Sequence, residues 1–166
     1  YTALNYACLN KSVEIVELLL HSGRDVGTAI MSTLGDTPMI NACWHECDEI
    51  CTALLESDKD LGLAIANDNG DTAIAIACWR GMREVAMAML DSGCELGLGV
   101  VSDAGYTAFL HACRSNLADV AFAMLECDEN LSLDATDAGG ATAMMFAVEY
   151  QRGDLCHAML ETGEDL

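Results

Sequence analysis

Gly-Asp-Thr-Ala-Ile-Ala-Ile-Ala-Cys, residues 70–78, decides the fold because the chain keeps returning to it. Copies stand at 35–43 (GDTPMINAC), 105–113 (GYTAFLHAC) and 140–148 (GATAMMFAV), and the chain opens on YTALNYAC at 1–8. The shared threonines are Thr2, Thr37, Thr72, Thr107 and Thr142, each 35 residues after the one before. A constant period of this length predicts an array of stacked repeats that bury a continuous core between them.

Each repeat predicts a pair of helices. The threonine is a favoured N-cap, because its hydroxyl can accept a hydrogen bond from an unpaired N–H group of the first turn. First helices are predicted near 3–10, 38–45, 73–80, 108–115 and 143–150, and second helices near 13–21, 48–56, 83–91, 118–126 and 153–161. The second helices are predicted to stop at Gly23, Asp58, Gly93, Asp128 and Gly163.

The second helices carry apolar columns that predict a core-facing stripe. One column is Ile15, Ile50, Val85, Val120 and Leu155, and another is Leu19, Leu54, Met89, Met124 and Met159. An eleven-residue connection closes each full repeat and predicts an extended finger or hairpin that projects from the stack.

This order of helix, turn, helix and finger resembles the ankyrin repeat, whose signature is T-P-L-H-x-A. Pro38 keeps the signature proline, while Asn5, Ile40, Ala75, Leu110 and Met145 replace the signature histidine. The resemblance implies an all-α ankyrin-repeat solenoid of helix-turn-helix units with β-hairpin-like fingers. It divides residues 1–166 into one array with repeats at 1–34, 35–69, 70–104, 105–139 and 140–166. Tyr1 and Leu166 both fall inside a repeat, so we expect a longer array with apolar helix faces at its cut ends.

Composition narrows the classes of partner. The net charge is −20 with only seven Lys and Arg residues, which disfavours nucleic acid and anionic membrane surfaces. No apolar run reaches the length of a membrane span. The charge instead favours a protein partner with a basic and apolar contact surface.

Nine cysteines raise the question of disulfides and metals. Four of them, Cys8, Cys43, Cys78 and Cys113, occupy the same slot of successive repeats, which places them too far apart to form disulfides. This arrangement favours free buried thiols. It therefore favours a reducing, intracellular compartment, most simply the cytoplasm. The grouping Cys43, His45, Cys47 and Cys51 is a zinc candidate, and 68–71 and 134–137 are weak calcium candidates. Core packing and the lack of a closing glutamate favour the interpretation without a metal or other cofactor.

The resemblance implies that one set of first-helix positions faces a concave groove. The candidate partner-binding residues are Tyr6, Leu9, Asn41, Trp44, Ile76, Trp79, His111, Arg114 and Phe146. Trp44 and Trp79 hold the same slot of adjacent repeats, so we expect them about 10 Å apart along the groove. Asp36, Glu46 and Asp71 are expected to rim it. The apolar fingertips Ile30, Ile65 and Val100 either pair within a finger or meet a partner.

Functional motifs are otherwise absent: the chain has no nucleophile elbow, phosphate loop or metalloprotease helix. We therefore expect a protein–protein interaction module, a scaffold or structural subunit of an assembly, and no enzyme. The alternative is a regulatory or targeting module of a longer enzyme or channel, which would use the same groove.

Overall fold

The computed structural model describes residues 1–127 and 129–163. Ten helices lie in those residues, and they form five consecutive pairs. Their bounds are α1 Ala3–Leu9, α2 Val13–Leu20, α3 Pro38–Trp44, α4 Asp48–Leu55, α5 Ala73–Trp79, α6 Arg83–Asp91, α7 Ala108–Arg114, α8 Ala118–Leu125, α9 Ala143–Glu149 and α10 Gly153–Glu161. The stack of helix-turn-helix units predicted from the period is confirmed. The predicted helix end at Asp128 and the end of the last repeat, 164–166, lie outside the described residues.

The threonine of each repeat caps its first helix as predicted. In every repeat the hydroxyl accepts a hydrogen bond from the backbone N–H three residues later, at 3.1 Å from Thr2 and 3.3 Å from Thr37. Thr72, Thr107 and Thr142 repeat the bond. This single side chain therefore sets where each helix pair begins.

Each helix pair turns on one residue in the left-handed region of the backbone. These residues are Lys11, Glu46, Gly81, Asn116 and Gln151, with φ between 51° and 72°. Only the third repeat places glycine there, although glycine adopts this conformation at the least cost. The turn is therefore held by the packing of the two helices it joins rather than by the intrinsic preference of its residue.

The apolar columns pack between neighbouring repeats. Ile50 in the second repeat is completely buried, but Ile15 in the same slot of the first repeat is 51% exposed. At the other end Val148 is 62% exposed, whereas Cys113 in the preceding repeat is 3% exposed. A large apolar side chain is therefore exposed at each end of the described array.

The fingers are hairpin-like only at their tips. In the first finger Ser32 N–H donates to the carbonyl of Asp36 at 2.8 Å, and Gly35 N–H donates to the carbonyl of Ser32 at 3.1 Å. The same pair of bonds recurs at 67–71, 102–106 and 137–141. A left-handed glycine after a tight turn is the usual three-residue hairpin loop. Within the described residues the flanking segments form no strand beyond a single bridge between Thr136 and Thr142.

Adjacent fingers pack backbone against backbone at a repeated glycine. A Cβ atom on Gly35 would lie 2.5 Å from the backbone nitrogen of Asp68, and one on Gly105 would lie 2.2 Å from the carbonyl oxygen of Thr136. Both glycines also have positive φ, at 76° and 86°. The glycines two residues before Thr37 and Thr107 are therefore required for the fingers to stack, whereas a Cβ atom on Gly140, before Thr142, would meet nothing within 4 Å.

Polar side chains link the fingers at the same level. Asn67 Nδ2 donates to Asp36 Oδ1 at 3.0 Å, while Asn67 Oδ1 accepts from the backbone N–H groups of Asn69 and Asp71. Two repeats further on, Tyr106 donates from its hydroxyl to Asp137 Oδ2 at 3.3 Å. Asn67 thus contacts Asp36, which directly precedes Thr37. Asp137 contacts Tyr106, which directly precedes Thr107.

Truncating the buried and exposed members of one column tests the stacking. We expect Ile50→Ala to lower the free energy of unfolding by about 2–5 kcal/mol, because it leaves a cavity between repeats. Ile15→Ala, the matched end variant, should cost less than about 1 kcal/mol, because its side chain is half exposed. Urea denaturation followed by circular dichroism gives both values, and equal losses would contradict nearest-neighbour stacking.

Candidate functional site

All the residues predicted to line the groove lie on the first helices of the pairs. Of the residues predicted to line it, Tyr6, Leu9, Trp79 and Arg114 are exposed, and Trp44 and Phe146 are half-buried. These six remain available to a partner. Tyr6 additionally contacts Tyr1, with ring centroids 5.1 Å apart.

Three of the predicted groove residues, Asn41, Ile76 and His111, are buried and contact their own chain. Asn41 donates from its amide to Asn5 Oδ1 at 3.1 Å and to the carbonyl of Thr37 at 3.3 Å. Ile76 belongs to the apolar core. His111 stacks on Tyr106, with centroids 4.5 Å apart and planes 10° from parallel.

The two tryptophans form a cluster with a basic residue that the sequence analysis missed. Their ring centroids are 5.1 Å apart in an edge-to-face arrangement, closer than the predicted 10 Å because the side chains lean together. The Arg80 guanidinium lies 5.0 Å from the Trp44 ring and 4.7 Å from the Trp79 ring, and it pairs with Glu46 at 3.1 Å. The fingers leave Trp79 uncovered, and Arg80 shields one side of the pair.

A second aromatic and basic group continues the surface. Trp79 lies 6.3 Å from His111, which stacks on Tyr106. Arg114 donates to the Tyr106 hydroxyl at 2.9 Å, and its guanidinium lies 5.2 Å from the Tyr106 ring. The rings of Trp44, Trp79, His111 and Tyr106 therefore form one ridge along the groove, here called the aromatic ridge.

A pocket of about 510 Å³ opens beside the first end of the aromatic ridge, between two helix ends and two fingers. Its apolar lining is Tyr1, Leu9, Leu34 and Trp44, and its acidic lining is Asp36 and Asp68. We refer to it as the groove pocket. It joins predicted groove residues with finger residues that the sequence analysis did not single out.

The acids expected at the rim divide into two kinds. Glu46 is exposed at the rim, as predicted. Asp36 is only 8% exposed, so the rim position predicted for it is wrong. Burial raises the pKa of Asp36, and burial likewise raises the pKa of Asp71, each helped by a neighbouring aspartate. Asp36 thus carries its charge at an energetic cost that an exposed carboxylate does not have.

The zinc candidate lies in the apolar core. Cys43 Sγ and Cys51 Sγ are 3.9 Å apart, and both residues are completely buried. The hydrogen bond with Cys51 and burial raise the pKa of the Cys43 thiol well above its usual range. A metal needs thiolates, so these thiols are poor ligands. Across the part of the chain that the structure describes, no group of three His, Cys, Asp or Glu side chains is placed to hold a metal ion.

The family model for ankyrin repeats (3 copies) matches residues 4–99, more than half of the chain. The chain belongs to the ankyrin repeat family. The helix pairs continue with the same caps and turns from 100 to 163, so the described ankyrin array has five repeats. Ankyrin repeats are generally protein–protein interaction modules and are typically not enzymes. Comparison with curated proteins finds no match.

The helices of the array are short. None among the described residues is both long and apolar enough to cross a membrane.

Thiol reactivity tests the placement of the cysteines. We expect brief alkylation at mildly alkaline pH to label exposed Cys94 first. Cys8 and Cys113 should be protected until denaturant is added, because burial raises the pKa of each to about 12. Peptide mass spectrometry of the native and unfolded protein measures each site. Labelling of Cys8 at the rate of Cys94 in the native state would contradict the packing.

Acid stability tests the burial of His111. Burial lowers its pKa from 6.5 to about 4, so the unfolded chain takes up the proton first as the pH falls between these values. The free energy of unfolding is therefore highest above the unfolded-state pKa of 6.5. It falls by up to roughly 3 kcal/mol as the pH drops toward the folded-state pKa of about 4. His111→Phe keeps the stack on Tyr106 and should flatten this part of the pH–stability curve.

The control for that experiment is His157→Phe, at an exposed histidine. It should leave the curve close to the wild-type one. An unchanged slope in His111→Phe would show that His111 is accessible to protons in the folded protein.

Proposed function

We propose that this ankyrin array is a scaffold or structural subunit that binds a partner protein through the concave groove of its first three repeats. The observation that carries the proposal is the aromatic ridge beside the groove pocket. Exposed tryptophan and tyrosine side chains contribute more binding free energy than other residue types when a partner covers them. The partner-binding residues are then Tyr6, Leu9, Trp44 and Trp79 of those repeats, with Arg114 of the fourth repeat beside them.

Charge supports a partner with a basic contact surface. The chain has a net charge of −20 and only seven Lys and Arg residues. The negative electrostatic field of such a chain accelerates its encounter with positively charged surfaces. Apolar contacts at the ridge supply most of the affinity in this proposal, and charge sets the association rate and its dependence on salt.

The wider setting of the array is also a proposal. The apolar end faces at Ile15 and Val148 resemble the buried interfaces between interior repeats, which supports continuation of the array by further repeats. The buried thiols support a reducing, intracellular compartment. A regulatory or targeting module within a longer enzyme or channel is the second candidate, and the full open reading frame discriminates it from a free-standing scaffold.

Truncation of the ridge tests the groove. We expect Trp44→Ala and Trp79→Ala each to weaken binding of the native partner by roughly 2 kcal/mol or more, because each removes a large anchoring ring. The partner is first obtained by affinity capture, then purified, and its dissociation constant is measured by calorimetry. Circular dichroism establishes that each variant remains folded.

The matched control is Leu18→Ala. Leu18 is a large apolar residue with an exposed side chain on α2, outside the groove. It should leave the affinity unchanged. Wild-type affinity in both tryptophan variants, or a loss only in the Leu18 variant, would move the contact to the fingers or the convex face.

A further inference from the structure

The aromatic ridge presents hydrogen-bond donors that its own chain leaves unused. Within the described residues, the indole N–H groups of Trp44 and Trp79 donate to no oxygen or nitrogen atom. The only buried side-chain N or O atom without a partner in that part of the chain is His111 Nδ1, so the unpaired Trp44 N–H is open to solvent. Trp79 is 43% exposed. Both indoles are therefore placed to donate to a partner.

Two arginine side chains add further donors to the ridge. The Arg80 guanidinium donates to Glu46, and the Arg114 guanidinium donates to the Tyr106 hydroxyl. Neither side chain donates to any other group of the described residues. A guanidinium has five N–H donors, so each arginine keeps several of them free. The ridge thus combines flat aromatic surface with more donors than its own chain satisfies.

A proline-rich segment has the complementary chemistry. In the polyproline II conformation the backbone makes no internal hydrogen bonds, so its carbonyl groups are free to accept. Proline has no backbone N–H, so such a segment brings acceptors without bringing donors that would stay unpaired. Grooves lined by aromatic side chains are a recurring binding site for this conformation.

The other common forms of a bound segment fit the ridge less well. A helix uses its backbone carbonyls internally, so it would have to accept with side chains, and carboxylates are repelled by a chain of net charge −20. An added strand needs the exposed edge of a sheet. The described residues form only a single bridge, between Thr136 and Thr142, and offer no such edge.

The repeat distance of the stack agrees with that of the polyproline II helix. Packed helices lie roughly 8–10 Å apart, and Trp44 and Trp79 start from the same slot of adjacent repeats. A polyproline II helix has three residues per turn, and each residue rises about 3.1 Å, so one face returns about every 9 Å. A proline at every third residue can therefore meet the ridge once per repeat.

Acidic residues lie beyond both ends of the aromatic ridge. The groove pocket at the first end is lined by Asp36 and Asp68, together with His45. Glu149, in the slot of Arg114 one repeat further on, is exposed beyond the other end. These positions and the net charge of −20 favour a segment whose ends are basic.

We infer that the aromatic ridge binds a polyproline II segment that has proline at every third residue and basic residues at both ends. Its proline rings pack on the exposed aromatic rings, and its backbone carbonyls accept from the indole N–H groups of Trp44 and Trp79. This inference rests on the proposed function and names the chemical class of the partner segment that the groove takes.

Nuclear magnetic resonance titration with blocked nonapeptides tests the inference. The periodic probe is acetyl-Lys-Pro-Ala-Leu-Pro-Ala-Leu-Pro-Lys-amide. The rearranged probe, acetyl-Lys-Pro-Ala-Pro-Leu-Leu-Ala-Pro-Lys-amide, has the same composition without the period of three. The third probe replaces each proline of the periodic one by alanine, which keeps the charge and permits a helix. The two tryptophans give two indole N–H signals that report on the ridge directly.

We expect the periodic probe to move both indole signals and to bind about tenfold more tightly than the alanine probe, because the alanine probe must be ordered on binding. The rearranged probe should also bind more weakly than the periodic one, because its prolines do not share one face. Replacing both lysines of the periodic probe by glutamate should weaken it further. Tighter binding of the alanine probe would assign the ridge to a helix and overturn the inference. Equal binding of the periodic and rearranged probes, or unmoved indole signals at millimolar probe, would overturn it as well.

Two conservative variants separate the hydrogen bond from the ring. Trp44→Phe and Trp79→Phe keep an aromatic surface and remove the N–H, so each should weaken the periodic probe about fivefold. Leu18→Ala, outside the groove, should bind the probe as wild type does. Wild-type affinity in both phenylalanine variants would show that the indoles donate nothing to the segment. If either variant fails to fold, the comparison of probes on the wild-type protein still decides.

The outcome is separable from that of the proposed function. If Trp44→Ala and Trp79→Ala weaken the native partner but the periodic probe binds no better than the alanine probe, the groove stands and the proline-rich segment is wrong. If the periodic probe moves both indole signals while the native partner ignores both alanine variants, the ridge binds such segments and the groove is not the partner's main contact.

Discussion

The close approach of adjacent fingers is the constraint on which the rest of the molecule depends. At Gly35, Gly70 and Gly105 the next finger lies where a side chain would be, so the backbone of one repeat is shaped by the backbone of another. The threonine two residues later then caps the first helix of the repeat, so that helix begins at a fixed distance from the glycine. The spacing between these fingers follows from this one repeated contact.

The same contact explains why the groove pocket contains a costly carboxylate. Asp36 lies between the finger-stacking glycine and the capping threonine, so its backbone is fixed by both. Its side chain reaches Asn67 on the next finger, and it cannot swing out to solvent without breaking that bond. The carboxylate at this position is therefore held in place by the fold.

The fold was predictable from the sequence because its determinants are local and repeated. Thr37, Gly70 and the column through Ile50 each recur at one period, and the predicted helices agree with the structure to within one residue at their ends. The site was predictable only in part. Asn41, Ile76 and His111 share a slot with exposed Tyr6, and their burial depends on neighbours from other repeats.

The contacts of Arg80 and Asn67 that the sequence analysis missed join residues about one repeat period apart in the chain. Arg80 follows Trp79 in a turn, and nothing local indicates that it lies over the ring of Trp44 in another repeat. The link from Asn67 to Asp36 also spans one repeat, although the polar residue three positions before each glycine was a recurring signal that could have been followed. Side-chain pairs that form only on stacking carry no period of their own, which is why pattern analysis located the groove but not its pocket.

Hydrogen–deuterium exchange of the array, free and bound to its native partner, tests the central claim that the groove is the contact surface. The account predicts slower exchange on binding in 34–46 and 67–81, which hold residues of two finger tips together with α3 and α5. Exchange in α4 and α6 on the other side of the stack should stay unchanged. Protection confined to those second helices, with 34–46 unaffected, would contradict the account.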